Sequence, residues 1–294
     1  MVKAFEVAGH IFHLELSDTS SLWAALGQYV PFETQPSDNP VFTLRLNQQM
    51  EEERFECVYD PETEEGETLI RLYRKDDIWW MEMAVSKDRP VVGWLRTDGS
   101  FRTAELRILS RRMQDALFCI NNSMMLMFAF STAAAHTLEM HASVIMNGGK
   151  GYLFLAKSGT GKSTHSQQWL KCIPGSELLN DDNPIVRIWP DGRIIVYGSP
   201  WSGKTPCYRN IQCPVGAFVR IRRCAENRLT RLNMLEAYAL IYSSCSGFKI
   251  DSAMGDDLHS SIAAAVENIP SFVLDCRPDE DAARVCVAGV KSEI

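Results

Sequence analysis

The sequence lacks a C-x-x-C pair, although it contains 9 cysteines. Zinc sites and thiol redox motifs use cysteines paired at short spacing, and an odd number of cysteines cannot all form disulfides. The pattern therefore indicates neither a zinc site nor a disulfide framework. Unpaired thiols are typical of a reducing compartment, so we expect a cytoplasmic protein.

An excess of positive charge is also missing, because the formal net charge at pH 7 is -7. General nucleic-acid binders and membrane-surface binders need a basic face. We therefore expect neither a nucleic acid nor a membrane as a partner.

Long uninterrupted apolar runs are scarce. The stretch from Met1 to Leu16 alternates polar and apolar residues, which predicts a strand rather than a secretory signal. The apolar stretch 116–135 is about as long as a membrane span needs. However, Asn121, Asn122 and Ser123 interrupt it, so we favour a buried helix over a span.

What the chain does contain is a phosphate-loop motif. The stretch from Ala156 to Ser163 fits the pattern G-x-x-x-x-G-K-[ST] at every fixed position except the first, between a predicted strand at 151–155 and a predicted helix at 162–171. In this setting, backbone N–H groups and the helix N-terminus favour a di- or triphosphate. The predicted nucleotide-binding residues are Lys157, Ser158, Gly159, Thr160, Gly161, Lys162, Ser163 and Thr164.

Two side chains of the motif carry its chemistry, because Lys162 can reach the terminal phosphates and the Ser163 hydroxyl can hold magnesium. Ala156 occupies the first position, where glycine would permit a positive φ that a Cβ penalises. The alternative is a Gly/Ser-rich turn that only links a strand to a helix. The G-T-G-K-S-T core and its flanks favour the phosphate loop.

Paired carboxylates follow the loop helix, since Asp181 and Asp182 end a short predicted strand that begins at Glu177. In a phosphoryl-transfer site, one carboxylate can lie in the magnesium shell while the other accepts the proton of an incoming hydroxyl. An ordinary acidic turn before Asn183-Pro184 is the alternative. The phosphate loop upstream favours the catalytic interpretation.

A Gly/Ser/Pro-rich segment, 198–210, follows a predicted hairpin at 185–197 and carries Lys204 and Arg209. A loop of this kind suits closure on an anionic group, so these two cations are candidate substrate-binding residues. Taken alone, however, each cation is more often an ordinary surface charge than a functional residue.

The chain is organised in three parts, and its 294 residues, 46% of them hydrophobic, are enough to bury a sizeable core. Short β-type runs predict an N-terminal β-rich region at 1–103, in which Trp79 and Trp80 are expected on opposite faces of a sheet rather than forming a base-stacking platform. A helical pattern predicts a connector at 104–139. The remainder, 140–294, contains the motifs.

Within this last part, Asn147-Gly148-Gly149 predicts a tight turn between a strand at 141–146 and the strand that feeds the loop. The loop strand is therefore expected to have an antiparallel neighbour. Downstream, the pattern predicts a strand at 215–221, helices at 234–244 and 257–268, a strand at 271–274 and a closing helix at 278–290.

Taken together, His141-Ala142-Ser143, the hairpin, AKSGTGKST and LLNDDNPIV resemble the catalytic core of the HPr kinase/phosphorylase family. That core is similar to the nucleotide domain of ATP-dependent phosphoenolpyruvate carboxykinase. The segments GSPWSGKTPCYRN and PVGAFVRIRRCAENRLTRL resemble HPr-kinase-like proteins related to the carboxykinases. The resemblance covers residues 140–290 and does not extend to 1–103.

The resemblance implies an α/β fold with a P-loop nucleotide-binding core and a mixed sheet, joined to the N-terminal β-rich region. It places His141 near the phosphates and assigns Ser163 and one of the paired aspartates, with Asp182 as the first candidate, to magnesium. The other aspartate is the general base, and the two roles are interchangeable at this point. A homo-oligomer is also compatible with the family.

The leading hypothesis is therefore a kinase that uses ATP and Mg²⁺ to phosphorylate a hydroxyl of a small molecule or a peptide, with Asp181, Asp182, His141 and Lys162 as catalytic residues. One alternative is a nucleotide-binding regulatory module without turnover. Another is carboxykinase-type chemistry, which we rank lower because the chain is short for that family.

Overall fold

The structure is a computed structural model that describes residues 1–17, 20–53, 55–63, 66–203, 205–246 and 252–292. The chain divides into two compact units, the first covering Met1–Thr132 and the second beginning at Ala133. Each unit has its own mixed sheet, so the architecture is α/β with two mixed sheets.

Unit 1 is built on a nine-stranded sheet in the order β3-β1-β2-β4-β9-β8-β7-β6-β5. Its strands are β1 Val2–Val7, β2 His10–Glu15, β3 Glu33–Thr34, β4 Thr43–Leu46, β5 Glu56–Tyr59, β6 Leu69–Lys75, β7 Ile78–Ala84, β8 Val91–Asp98 and β9 Thr103–Ile108. Its helices are α1 Leu22–Ala25, a 3₁₀ helix Gly27–Phe32 and α2 Met113–Thr132. Strands β5 to β9 form an antiparallel meander.

Two sequence predictions for this unit were wrong. The N-terminal stretch is a hairpin rather than one strand, because Ala8 and Gly9 take φ values of 53° and 75° and reverse the chain. The helix predicted from Ala104 begins only at Met113, since Thr103–Ile108 is strand β9. The alternation of TAELRI, which pairs with β4 and β8, overrides the helical propensity of its Ala, Glu, Leu and Arg residues.

The apolar helix α2 packs against β8 and β9. Met113–Ala135 is the one described segment that is long and apolar enough to cross a membrane, and 56% of its apolar window is buried. Packing against the sheet accounts for this apolar character. Trp79 and Trp80 of β7 are both buried, each 2% exposed, so neither is available as an open stacking platform.

Unit 2 contains ten further strands around a second mixed sheet. They are β10 Thr137–Met140, β11 Ala142–Asn147, β12 Lys150–Leu155, β13 Glu177–Asp182, β14 Ile185–Ile188, β15 Ile194–Tyr197, β16 Gln212–Arg223, β17 Arg228–Arg231, β18 Cys245–Ser246 and β19 Ser271–Cys276. The helices are a 3₁₀ helix Ala133–Ala135, α3 Lys162–Cys172, α4 Met234–Ser244, α5 Ser252–Asn268 and α6 Glu280–Ser292. The predicted hairpins β11–β12 and β14–β15 are confirmed.

Strand β12 lies between an antiparallel neighbour, β11, and a parallel neighbour, β16. Strand β19 is also parallel to β16, so β12, β16 and β19 all end at the same edge of the sheet. One face of the sheet packs against α3 and α6 and the other against α4 and α5. Because loops beyond the carboxyl ends of parallel strands bind ligands in α/β sheets, this edge is where a site is expected.

The close contact between β8 and α2 yields a stability prediction. A Cβ on Gly93 would lie 2.5 Å from Sγ and 3.2 Å from Cβ of the buried Cys119. We expect Gly93→Ala to lower the free energy of unfolding by about 1–3 kcal/mol through overpacking, measured by chemical denaturation. Gly27→Ala, where the added Cβ meets nothing within 4 Å, is the control.

Adding Cys119→Ala to Gly93→Ala removes the sulfur that clashes and should recover part of the loss. If the two substitutions prove additive, the contact between Gly93 and Cys119 is not the cause.

Candidate functional site

The loop between β12 and α3 has the geometry that its glycines allow. Gly159 and Gly161 take φ values of 72° and 126°, which a residue with a Cβ rarely adopts. Lys157 accepts a backbone hydrogen bond from Thr160 at 3.2 Å, which closes the turn. The helix begins at Lys162, so its first N–H groups, which have no acceptor within the helix, line the end of the loop.

Ala156 does not strain this loop, because its φ is not positive. Its side chain instead packs against the buried cluster that includes Phe154 and Trp169. The Ala156 methyl group therefore packs against the core, and alanine at this position causes no strain in the backbone.

Lys162 is 8% exposed, and its ammonium group is held by two neighbours. Nζ lies 3.0 Å from the Ala156 carbonyl oxygen and 2.8 Å from Nε2 of His141. Burial lowers the pKa of Lys162, and the negative charges of Asp182 and Asp181 oppose that shift. The side chain is thus fixed at the loop rather than extended into solvent.

His141 lies between β10 and β11, where its backbone N–H donates to the Ser244 carbonyl at 2.7 Å. Its Nε2 atom is also 3.2 Å from Oδ1 of Asp182. A single ring nitrogen either accepts from Lys162 or, when protonated, donates to Asp182. The histidine therefore links the loop lysine to Asp182 through one ring nitrogen.

Asp181 is 2% exposed and faces the start of α3. The Ser163 hydroxyl lies 3.1 Å from each of its carboxylate oxygens. The Asp181 carbonyl accepts from Gly203 N–H at 2.7 Å and from the Ser202 hydroxyl at 2.9 Å. The loop helix thus contacts the Asp181 carboxylate, and the 198–210 segment holds the backbone of the same residue.

Asp182 has a φ of 117°, an uncommon conformation for a residue with a Cβ that costs on the order of 1–3 kcal/mol. Its side chain contacts His141, and its Oδ2 accepts from Asn183 Nδ2 at 3.2 Å. Burial raises the pKa of Asp182, but the hydrogen bonds and charges of His141, Lys162 and Asn183 outweigh burial and leave the pKa below its ordinary value. Asp182 is therefore a carboxylate at neutral pH.

Strand pairing explains why these groups meet. Strand β11 pairs with β12 on one side and with β13 on the other, with Ala142 opposite both Leu155 and Asp182. The residues that follow Leu155 and those that end β13 thus reach the same edge. A buried hydrogen bond of 2.7 Å between the hydroxyls of Ser143 and Ser166 ties β11 to α3.

The structure thus brings together His141, Lys162, Ser163, Asp181 and Asp182, while the other candidates differ in placement. Lys157, Ser158 and Gly159 are exposed on the loop, Thr160 and Gly161 are half-buried, and Thr164 is exposed on the first turn of α3.

Arg209 lies elsewhere along β13, where its guanidinium donates to the Leu178 carbonyl at 2.6 Å and to the Glu177 carboxylate at 2.8 Å. It therefore anchors the 198–210 segment to the start of that strand. Lys204 lies outside the described residues.

Two residues outside the sequence motifs also belong to this region. The Arg223 guanidinium at the end of β16 donates to the Thr160 carbonyl at 2.9 Å and to the Gly159 carbonyl, so it braces the loop. Its place in the basic run RIRR gave no signal of that role. Glu139, a lone acid in the apolar strand β10, is 1% exposed.

Neither carboxyl oxygen of Glu139 has a hydrogen-bond partner of ordinary geometry within the described residues. Burial raises the pKa of Glu139 to about 8, the charge of Asp182 adds to the rise, and the nearby Ser246 opposes it. At pH 7 this group is consequently a neutral acid behind the ionised Asp182.

The oxygen donors fit magnesium. The ion prefers hard oxygen ligands and is commonly held by one or two carboxylates together with substrate phosphates. The Ser163 hydroxyl and the Asp181 carboxylate offer such atoms beside the loop. The described residues contain no group of three or more His, Cys, Asp or Glu side chains that could hold a metal by themselves.

Comparison with known proteins shows a distant structural likeness. No protein-family model matches the chain. No curated protein matches it either. Among solved structures, the chain is similar to the Hpr(Ser) kinase/phosphatase from Coxiella burnetii, with a TM-score of 0.33 and 11% identity over 53% of this chain and 97% of that chain. This is a distant structural relationship, and it does not establish an activity.

The buried acid makes a pH prediction. Since the pKa of Glu139 is raised from 4.5 to about 8, the folded state holds a proton that the unfolded state has released across this interval. Stability associated with this group is therefore present below about pH 4.5 and is lost as the pH rises toward 8. Glu139→Gln should remove this dependence, so the variant gains stability relative to wild type between pH 5 and pH 8.5.

Chemical denaturation across this pH range measures the difference, and the exposed Glu267→Gln serves as the control. A difference between Glu139→Gln and wild type that does not change with pH contradicts the assignment of a neutral buried acid.

Proposed function

We propose that the chain is a phosphotransferase that binds ATP with Mg²⁺ and transfers the γ-phosphate to a hydroxyl of a small molecule or a peptide. The observation that carries this proposal is the convergence of the loop, Lys162, Ser163 and the two aspartates at one sheet edge. Phosphoryl transfer depends on positioning and on charge stabilisation, and these groups supply both.

Lys162 is the residue that contacts the terminal phosphates in this proposal. Its ammonium group already lies at the mouth of the loop, and the backbone N–H groups at the start of α3 point toward the same place. Because Lys162 is largely buried, its charge acts in a region of reduced dielectric, where it stabilises negative charge more strongly than in water.

The two aspartates take different roles. Asp181 contacts Ser163, so these two residues would hold the magnesium, which neutralises charge on the phosphate oxygens when bound. Asp182 is ionised and contacts His141, so it would orient the acceptor hydroxyl and take its proton. The sequence motifs suggested Asp182 as the magnesium ligand, whereas the proposal gives that role to Asp181.

His141 has a supporting role. Its Nε2 lies within reach of both Lys162 and Asp182, so a proton taken by Asp182 can be passed to the imidazole. The alternative of a regulatory module without turnover has two reasons, namely Ala156 in the loop and the β-rich region 1–103 as a surface for a partner. The φ of Ala156 is not positive, so the first of these reasons does not favour the alternative.

Nucleotide binding is tested first. Wild type should bind ATP in calorimetry in the presence of Mg²⁺ and more weakly without it, and Lys162→Ala should lose that binding because the phosphates lose their cation. Lys171→Ala, at the exposed end of the same helix, is the matched control and should bind like wild type. Equal binding of ATP by Lys162→Ala and wild type would contradict the proposal.

The division of labour between the aspartates gives a second prediction. With labelled ATP and a panel of hydroxyl-bearing acceptors, Asp182→Asn should reduce transfer by about 10²–10⁴-fold while ATP binding persists, because only the proton acceptor is lost. Asp181→Asn should raise the Mg²⁺ concentration needed for half-maximal binding of ATP. Unchanged transfer in both variants would contradict the assignment.

A further inference from the structure

A cavity lies beside the loop, on the side away from the paired aspartates. We call it the β16–β19 pocket. Its lining includes Gly161, Thr164 and Gln168 of the loop and α3, and Ile221, Cys276 and Pro278 from the ends of β16 and β19. Its volume is about 210 Å³, far more than the roughly 10–15 Å³ that one water requires.

The order of strands at the sheet edge fixes the relation of this pocket to the site. Along the edge the strands run β13, β11, β12, β16, β19. The transferred phosphate lies on the β11 and β13 side in the proposed function, since Asp181 and Asp182 end β13. The rest of the nucleotide must leave the loop in the other direction, toward β16 and β19.

The lining suits a flat aromatic group. Ile221, Cys276 and Pro278 supply apolar surface, and two arginines lie at the pocket with their guanidinium groups fixed by the protein. Arg223 is held by the Thr160 carbonyl at 2.9 Å, and Arg277 by the Asp279 carboxylate at 2.7 Å. Guanidinium planes held in this way can stack on a base or contact the sugar and the first phosphate.

Gln168 adds a specific polar group. Its Oε1 atom is buried and has no hydrogen-bond partner within the described residues. An unsatisfied buried acceptor costs about 1–3 kcal/mol, which a donor on a ligand would recover. An amide can pair with the amino group and a ring nitrogen of adenine.

We infer that the β16–β19 pocket binds the adenine base of the nucleotide and that Gln168 accepts a hydrogen bond from its exocyclic amino group. This inference rests on the proposed nucleotide-binding function and assigns the nucleoside end of that ligand. Three observations support it together, namely the apolar surface, the fixed guanidinium groups and the position of the pocket opposite the aspartates.

The free thiol of Cys224 offers a direct test, because it is exposed and lines the pocket. Alkylation of the wild-type protein by a small maleimide is followed by mass spectrometry, with the exposed Cys57 of unit 1 as the reference thiol. Magnesium ATP should slow alkylation of Cys224 at least about fivefold, while Cys57 reacts at its original rate. Magnesium tripolyphosphate, which has no base, should leave both rates unchanged.

Base recognition is tested separately by comparing ATP with the triphosphate of purine riboside, whose base carries a hydrogen atom in place of the amino group. Wild type should prefer ATP by about fivefold, the size of one hydrogen bond of about 1 kcal/mol. Gln168→Leu should lose that preference. Gln168→Glu retains an acceptor oxygen and should keep it.

The outcomes separate this inference from the proposed function. If ATP and tripolyphosphate bind but protect Cys224 equally, or if ATP binds without protecting it, the pocket does not hold the base. A preference for ATP that survives Gln168→Leu overturns the role of Gln168. If neither ATP nor tripolyphosphate binds to wild type, the proposed function fails and the inference fails with it.

Discussion

The pairing of β11 with two neighbours is the constraint on which the candidate site depends. Because β11 lies between β12 and β13, it sets the loop and the paired aspartates one strand apart on either side of His141. The loop and the aspartates are therefore already close together, and no long side chain has to bridge them. The Lys162 amine then fills the small space between the Ala156 carbonyl and the imidazole, which draws the two halves of the site together.

Asp182 combines an uncommon backbone conformation with a carboxylate that its neighbours keep ionised. The same neighbours hold its side chain. Just behind it, Glu139 is buried without an ordinary hydrogen-bond partner among the described residues and stays neutral at pH 7. Two nearby acids thus have opposite protonation states, because one faces a lysine and a histidine and the other is fully buried.

Much of the fold could be predicted from local sequence. The hairpins at 142–155 and 185–197 followed from turn residues between alternating strands, and Met234–Ser244 begins with an Asn233 capping box, a local signal for a helix start. Strand β9 could not be recognised, because its residues favour a helix in isolation and only pairing with β4 and β8 makes it a strand. Composition alone does not reveal such pairing partners.

The candidate site, like the fold, could be predicted from the sequence only in part. The loop residues and the aspartate pair could be predicted, since their chemistry is written in contiguous motifs. The choice between Asp181 and Asp182 could not, because it depends on which carboxylate faces Ser163 after β13 is docked. Arg223 and Glu139 acquire their roles only through contacts with distant parts of the chain.

Strand β16 belongs to both halves of the unit 2 sheet, pairing with β15 near its start, with β12 along its middle and with β19 at its end. A strand shared in this way cannot detach from one half without disturbing the other. Its central amides should therefore exchange with deuterium only when unit 2 unfolds as a whole, and Arg223 at its end connects the loop to the most persistent element of the unit.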